Sequence, residues 1–188
     1  PDTTPRFNFR NRDGAGKSFS PVEGTIGVVS INSMIDKAQL EDALSGIASI
    51  PPMKSLEGRI SFALTIENYD DWPYKIVYAT NGLEGETVLN HVNSFYTKRP
   101  DIPIFRRPHI IHVSGKYVII RTVNGMKLYN YSDRSKKKLP LGTFHLFTTD
   151  PDLQGILWAL DGLQQNAAAS TQILYSYRNL IEKVNLVS

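Results

Sequence analysis

The side chains of this sequence most able to do chemistry are four histidines, a set of carboxylates around an apolar run, and two basic clusters. His109 and His112 stand three residues apart. On a helix that spacing could share a metal ion, but on a strand it splits the pair between faces, so joint ligation is not expected. His91 and His145 read as surface or hydrogen-bonded residues. Glu23, Asp36 and Glu41 flank the run 25–32, in which Ser30 and Asn32 share one strand face with Ile26 and Val28. Gly14-Ala-Gly-Lys-Ser18 has the composition of a phosphate loop but not its spacing, because Asn11 stands where the first glycine is needed. The basic clusters are Arg106-Arg107 and Arg134 with Lys136, Lys137 and Lys138. Tyr129 and Tyr131 flank the second and could stack on bases. A solvated basic loop is the plainer reading of the same residues.

These groups need elements to hold them. Residues 25–32 are apolar on both faces at their start, as in a central strand covered on both sides. Helical spacing follows over 36–49 (Leu40, Leu44, Ile47), with Ser33 or Asp36 as cap and Pro51-Pro52 as stop. Alternation predicts a second core strand over 60–66 and extended chain over 72–79. The stripe Val88, Leu89, Val92, Phe95, Tyr96 predicts a helix over 84–96. His109–Val113 and Lys116–Arg121 read as strands joined at Ser114-Gly115. Residues 126–131 are expected to pair onto the second of these through Asn124-Gly125. Arg134–Lys138 reads as an exposed loop, and 143–148 as a strand. Asp150-Pro151 is a helix start, with Asp150 as N-cap and Pro151 at the first helical position. That helix should reach about Gln165 with Ile156, Leu157, Leu160 and Leu163 inward. A closing helix should carry Ile173, Leu174, Tyr177, Leu180, Ile181 and Val184. The order predicts one α/β domain over 21–188, preceded by a basic arm or loop over 1–20.

Pro21-Val-Glu-Gly-Thr-Ile-Gly-Val-Val-Ser-Ile-Asn-Ser33, followed by Met-Ile-Asp-Lys-Ala-Gln-Leu-Glu-Asp-Ala-Leu44, resembles the core motif of the restriction-endonuclease-like PD-(D/E)XK superfamily. It is especially similar to an uncharacterised bacterial branch, with a Pro-Val-Glu-Gly lead-in, a strand ending Glu-x-Lys-Ser, and a helix. The strand over 60–66, the hairpin from Pro108 and the closing helices follow that branch's order. The resemblance implies a central mixed sheet flanked by helices. It also places the family's Glu at Ser30 and its Lys at Asn32, a degenerate motif, with the strand of the first catalytic Asp expected to fall before Pro1 or to be absent. Glu23 belongs to the same candidate site.

The substitutions matter physically. Such nucleases hold Mg²⁺ beside the scissile phosphate with one or two carboxylates and waters, and the ion activates water and steadies charge. Ser30 and Asn32 are neutral and supply no anionic field. Losing one electrostatic donor costs about 10²–10³ in rate. Hydrogen bonding to phosphate or to a partner backbone remains open to such a pair. Glu23, Asp36 or Glu41 could supply a carboxylate from a shifted position.

Composition bounds the rest. At 188 residues, 41% hydrophobic and 21% charged, the chain can bury a full core. Its net charge of +3 is compatible with a polyanionic partner without requiring one. With no cysteine, disulfides, zinc–thiolate sites and thiol nucleophiles are excluded. No apolar run approaches the roughly 18–20 residues that span a bilayer, so no membrane partner and a cytoplasmic location are expected. Three readings follow, in this order. The first is a catalytically inactive or altered nuclease-fold domain that binds nucleic acid or regulates an assembly, in a bacterial defence setting by analogy, with no cofactor. The second is a protein-interaction subunit without nucleic-acid binding. The third is an active Mg²⁺-dependent nuclease with relocated carboxylates.

Overall fold

The structure, a computed structural model, describes residues 7–10, 16–19, 22–53, 66, 69–129 and 136–173. Strands β1 (Phe7–Arg10) and β2 (Gly16–Phe19) form an antiparallel hairpin. Gly16-Lys17-Ser18 is therefore strand rather than a phosphate loop. The main chain of the fold then runs β3 (Gly27–Asn32), α1 (Lys37–Ala48), β4 (Tyr74–Ala79), α2 (Gly85–Lys98), β5 (Ile110–Val113) and β6 (Tyr117–Arg121). A small pair, β7 (Lys127–Tyr129) and β8 (Lys136–Lys138), precedes β9 (Phe144–Phe147) and α3 (Pro151–Ser170).

Five strands form one mixed sheet in the order β3-β4-β5-β6-β9. The first three are parallel, with Ser30 opposite Val77 and Val77 opposite Ile111. β5–β6 and β6–β9 are antiparallel. Each parallel connection carries a helix, the usual form of such a crossover. Helices α1 and α2 pack on one face around Leu40, Leu44, Val77, Val92, Ile111 and Ile119. Helix α3 covers the other face over Ile76, Ile110, Val118 and Ile120. The result is a single layered α/β domain with a mixed sheet between helices, as the sequence predicts.

Local causes are visible at the ends. Asp36 caps α1, its Oδ1 accepting from the Gln39 amide at 2.9 Å. Pro151 opens α3 as expected, but Asp150 adopts a left-handed conformation (φ 44°) and makes no side-chain cap bond. The helix runs five residues beyond Gln165, to Ser170.

Four expectations are corrected. First, β3 is not central among the described residues. Among the described residues it ends the sheet, leaving Ile31 75% and Val29 46% exposed. Its apolar run reflects β propensity rather than two-sided burial. Second, α3 is rotated from the face its leucines predict. Ile156, Leu157 and Leu160 are more than half exposed, and of the predicted inward set only Leu163 is half-buried. Gly155 and Gly162, seven residues apart and so two turns along one stripe, face the sheet instead. Gly155 lies against the His112 ring and Gly162 against the Tyr74 ring, contacts that a Cβ would block. Close backbone approach has won over side-chain area. Third, β7 pairs with β8 and not with β6, whose free edge is taken by β9. Fourth, Lys136–Lys138 is that paired strand β8 rather than loop. The predicted strand 60–66 (Ile66 apart), Arg134, and the closing helix beyond the buried Ile173 lie outside the described residues.

Candidate functional site

Ser30 and Asn32 sit on β3 where alternation puts them. Val28, Ser30 and Asn32 share the face toward α1, with Val28 packed on the core beneath that helix. Ser30 and Asn32 are half-buried, and Asn32 Nδ2 donates to Ser30 Oγ at 3.4 Å. At the strand's end, Asn32 and Ser33 border a shallow hollow against Ala38, Gln39 and Asp42 of α1. Asp42 is not among the carboxylates that the sequence pattern points to. Its spacing of four from Ala38 on a helix is the signal that places both on one face.

The other predicted carboxylates have different placements. Asp36 is occupied as the α1 cap, and Glu41 is exposed on α1. Glu23 lies in the 3-10 turn Val22–Gly24 immediately before β3. Among the described residues no three His, Cys, Asp or Glu side chains converge to hold a metal ion. The hollow beside Asn32 offers one carboxylate, one primary amide from the strand and one from the helix. That donor set lacks the paired anions that fix a divalent ion beside a phosphate, and it does not fit a Mg²⁺ site.

Of the basic residues, Arg106 ends the 3-10 turn Ile104–Arg106 between α2 and β5. Arg107 follows it and is committed to the fold. Its guanidinium lies 4.4 Å from the Tyr96 ring centroid, and Nη2 donates to the Ile102 carbonyl at 3.2 Å. Lys136, Lys137 and Lys138 lie on β8, and Arg134 is outside the described residues.

A second polar centre gathers around the 3-10 turn Tyr69–Asp71. Arg121, wholly buried at the end of β6, donates from Nη2 to Asp71 Oδ1 at 2.7 Å and from Nε to the Pro108 carbonyl at 3.2 Å. Lys75, on β4, is buried. Its Nζ donates to the carbonyls of Asp71 (2.6 Å) and Pro73 (2.8 Å). Burial pulls the Lys75 ammonium down to about 7, against the opposing pull of Asp71, and the Arg121 and Arg106 charges add to the fall. His109 Nδ1 accepts the Lys75 backbone N–H at 3.0 Å, and its ring stacks on Tyr74 at 4.3 Å. Burial first, then the Arg121 and Lys75 charges, hold His109 well below its ordinary pKa. The ring is neutral, and with Nδ1 accepting, its proton sits on Nε2. His112 meets α3 separately, its Nε2 2.8 Å from Asp152 Oδ1. Both histidines thus reach the α3 side, because His109 precedes β5 and escapes its alternation. They remain two separate contacts and not a metal pair.

The sequence carries a signal for this centre: Lys75 and Arg121 are cations inside apolar strands, where a charge needs a partner.

Neither a protein-family model nor a curated protein matches the sequence. Solved structures do match. P. aeruginosa ATCC27853 NucC in its cAAA-bound form and E. coli MS115-1 NucC in its apo form each align with a TM-score of 0.50 at 10% identity. The alignments cover 87% of this chain and 60% and 64% of those chains. The chain shares the architecture of these two structures, a mixed sheet between helices. At 10% identity the likeness establishes architecture and nothing about activity, and the chain spans less than two thirds of either neighbour. No helix among the described residues is long and apolar enough to cross a membrane.

Proposed function

We propose that this chain is a nuclease-fold domain that binds nucleic acid without cutting it, acting as a regulatory or targeting part of a bacterial defence assembly. The observation that carries the reading is the Ser30–Asn32 pair. Two neutral side chains occupy the positions where the resembled motif needs an acid and a lysine. They hydrogen-bond each other at 3.4 Å on the face the motif uses. Such a pair can donate to a phosphate oxygen but cannot gather a divalent cation. The likeness of fold to the NucC structures supports the nuclease-related half of the proposal, and the basic strand β8 supports the polyanion half.

The test is labelled duplex and single-stranded DNA titrated at rising ionic strength, beside supercoiled plasmid incubated with Mg²⁺ or Mn²⁺. Binding that weakens linearly on logarithmic axes as salt rises, with the plasmid intact, is the expected result. Binding indifferent to salt, or no binding, would overturn the proposal and favour a protein-interaction subunit.

A further inference from the structure

Across the sheet from Ser30 and Asn32, a cavity of about 330 Å³ opens between the second polar centre and the C-terminal half of α3. Its polar wall is Asp71 and His109, and its far rim is Asn166, Ala168, Ala169 and Gln172. His109 is 5% exposed, and among the described residues the one hydrogen bond of its side chain is at Nδ1. Nε2 stands 3.9 Å from Asp71 Oδ1, too far for a direct bond and close enough for both groups to engage adjacent atoms of one ligand. Asp71 is held in place by Arg121 from behind, with Oδ2 only weakly engaged at 3.4 Å. Tyr74 fixes the imidazole plane by stacking on it, and the Tyr74 hydroxyl is itself tied to the Trp158 carbonyl at 3.1 Å. At the rim, Asn166 Nδ2 donates to the Ile26 carbonyl at 2.9 Å, which leaves its side-chain oxygen free to accept.

The wall therefore presents one fixed N–H donor beside one carboxylate acceptor. A ligand that satisfies both needs a hydrogen-bond acceptor next to a donor in one plane. Most metal ions are rejected by the N–H, and an anion is rejected by the carboxylate. A ring nitrogen beside an exocyclic amino group fits: the amino group donates to Asp71, a pairing known for the cytosine amino group, and the ring nitrogen accepts from His109 Nε2. Recognition of an extruded base by its pairing edge uses the same logic. We infer that this cavity is a binding site for a planar amino-substituted nitrogen heterocycle presenting a cytosine-like edge, read by Asp71 and His109. The site is independent of the Ser30–Asn32 face, so either proposal can fail alone.

The source of the ring is either a free nucleoside or a base carried on a single strand. Calorimetric titration of the full chain with cytidine, and with uridine as a control of the same shape, reads the shared chemistry. Uridine sets a ring N–H against the His109 N–H and a carbonyl against the Asp71 carboxylate. We expect saturable cytidine binding and uridine weaker by at least about tenfold, because a mismatched edge leaves buried polar groups unpaired. Oligo-dC against oligo-dT in the same cell distinguishes a strand-borne base from a free one. Ala169→Leu fills the cavity from the helix side without touching a polar group and should abolish cytidine binding while the melting transition persists. A ¹⁵N-histidine spectrum, in which the His109 Nε2 signal moves on adding cytidine but not uridine, reads the contact with no variant at all. No binding up to millimolar cytidine, equal binding of the two nucleosides, or binding indifferent to Ala169→Leu would overturn the assignment and leave the cluster a purely structural one.

Discussion

Arg121 and Asp71, fifty residues apart in sequence, meet at 2.7 Å with the guanidinium wholly buried and the carboxylate nearly so. The pair ties the end of β6 to the 3-10 turn Tyr69–Asp71 that leads into β4, so it holds the sheet's middle to the loop before it. Removing one partner strands the other charge. Asp71→Ala should therefore cost about 3–5 kcal/mol, whereas Asp71→Leu with Arg121→Met should recover much of that loss. Urea unfolding of both variants decides it. A single variant within experimental error of the parent would show that the pair bears no load.

The rotation of α3 makes a prediction opposite to its sequence pattern. Gly155→Ala would drive a Cβ to 2.7 Å from His112 Nδ1 and should cost about 1–3 kcal/mol by overpacking. Leu160→Gln, at a position 58% exposed, should change stability by no more than about 0.5 kcal/mol. Thermal melts would reverse this ranking if the leucine face were the one that packs.

Lys75 imposes a pH dependence. Its folded pKa lies near 7 against an ordinary 10.5. Between those values the unfolded chain holds a proton that the folded chain has released. Stability contributed by this group therefore rises with pH across that window and is lowest below it. Comparing melts at pH 7 and pH 9, the parent should gain on the order of 2 kcal/mol relative to Lys75→Met. Parallel curves for the two proteins would show that the amine titrates normally.

The basic residues should separate by role. Each of Lys136→Ala, Lys137→Ala and Lys138→Ala that removes a phosphate contact should flatten the salt dependence of DNA binding by about one unit of slope. Arg107→Ala should instead lower stability by about 1 kcal/mol through loss of the Tyr96 contact, because its guanidinium is already engaged. Anisotropy titrations at several salt concentrations, run beside melts, read both effects. Arg107→Ala changing only the slope would contradict its assigned place.

Legibility tracked the range of the interactions. Local periodicity and caps placed α1, α2, β4, β5, β6 and β9 within a residue or two, because 3.6- and 2-residue repeats and the Asp36 cap act over a single turn or strand. The same rule placed Ser30 and Asn32 on one face of β3. Partnership was not legible. The pairing of β6 with β9 rather than β7 depends on which edge is free when the chain closes. Nothing near Asp71 in the sequence points to Arg121, and nothing near His109 announces its stacking on Tyr74.

From residues alone came the layered α/β class, the order of its helices and strands, and the neutral pair Ser30 and Asn32 on one strand face. Those follow from propensity and spacing, which each short segment carries within itself. The tertiary structure alone decided that β3 ends the described sheet, that α3 turns its glycines inward, and that Asp71 and His109 face one cavity. Each depends on surfaces brought together from distant parts of the chain, where the tightest backbone approach and the pairing of buried charge outweigh local hydrophobic pattern.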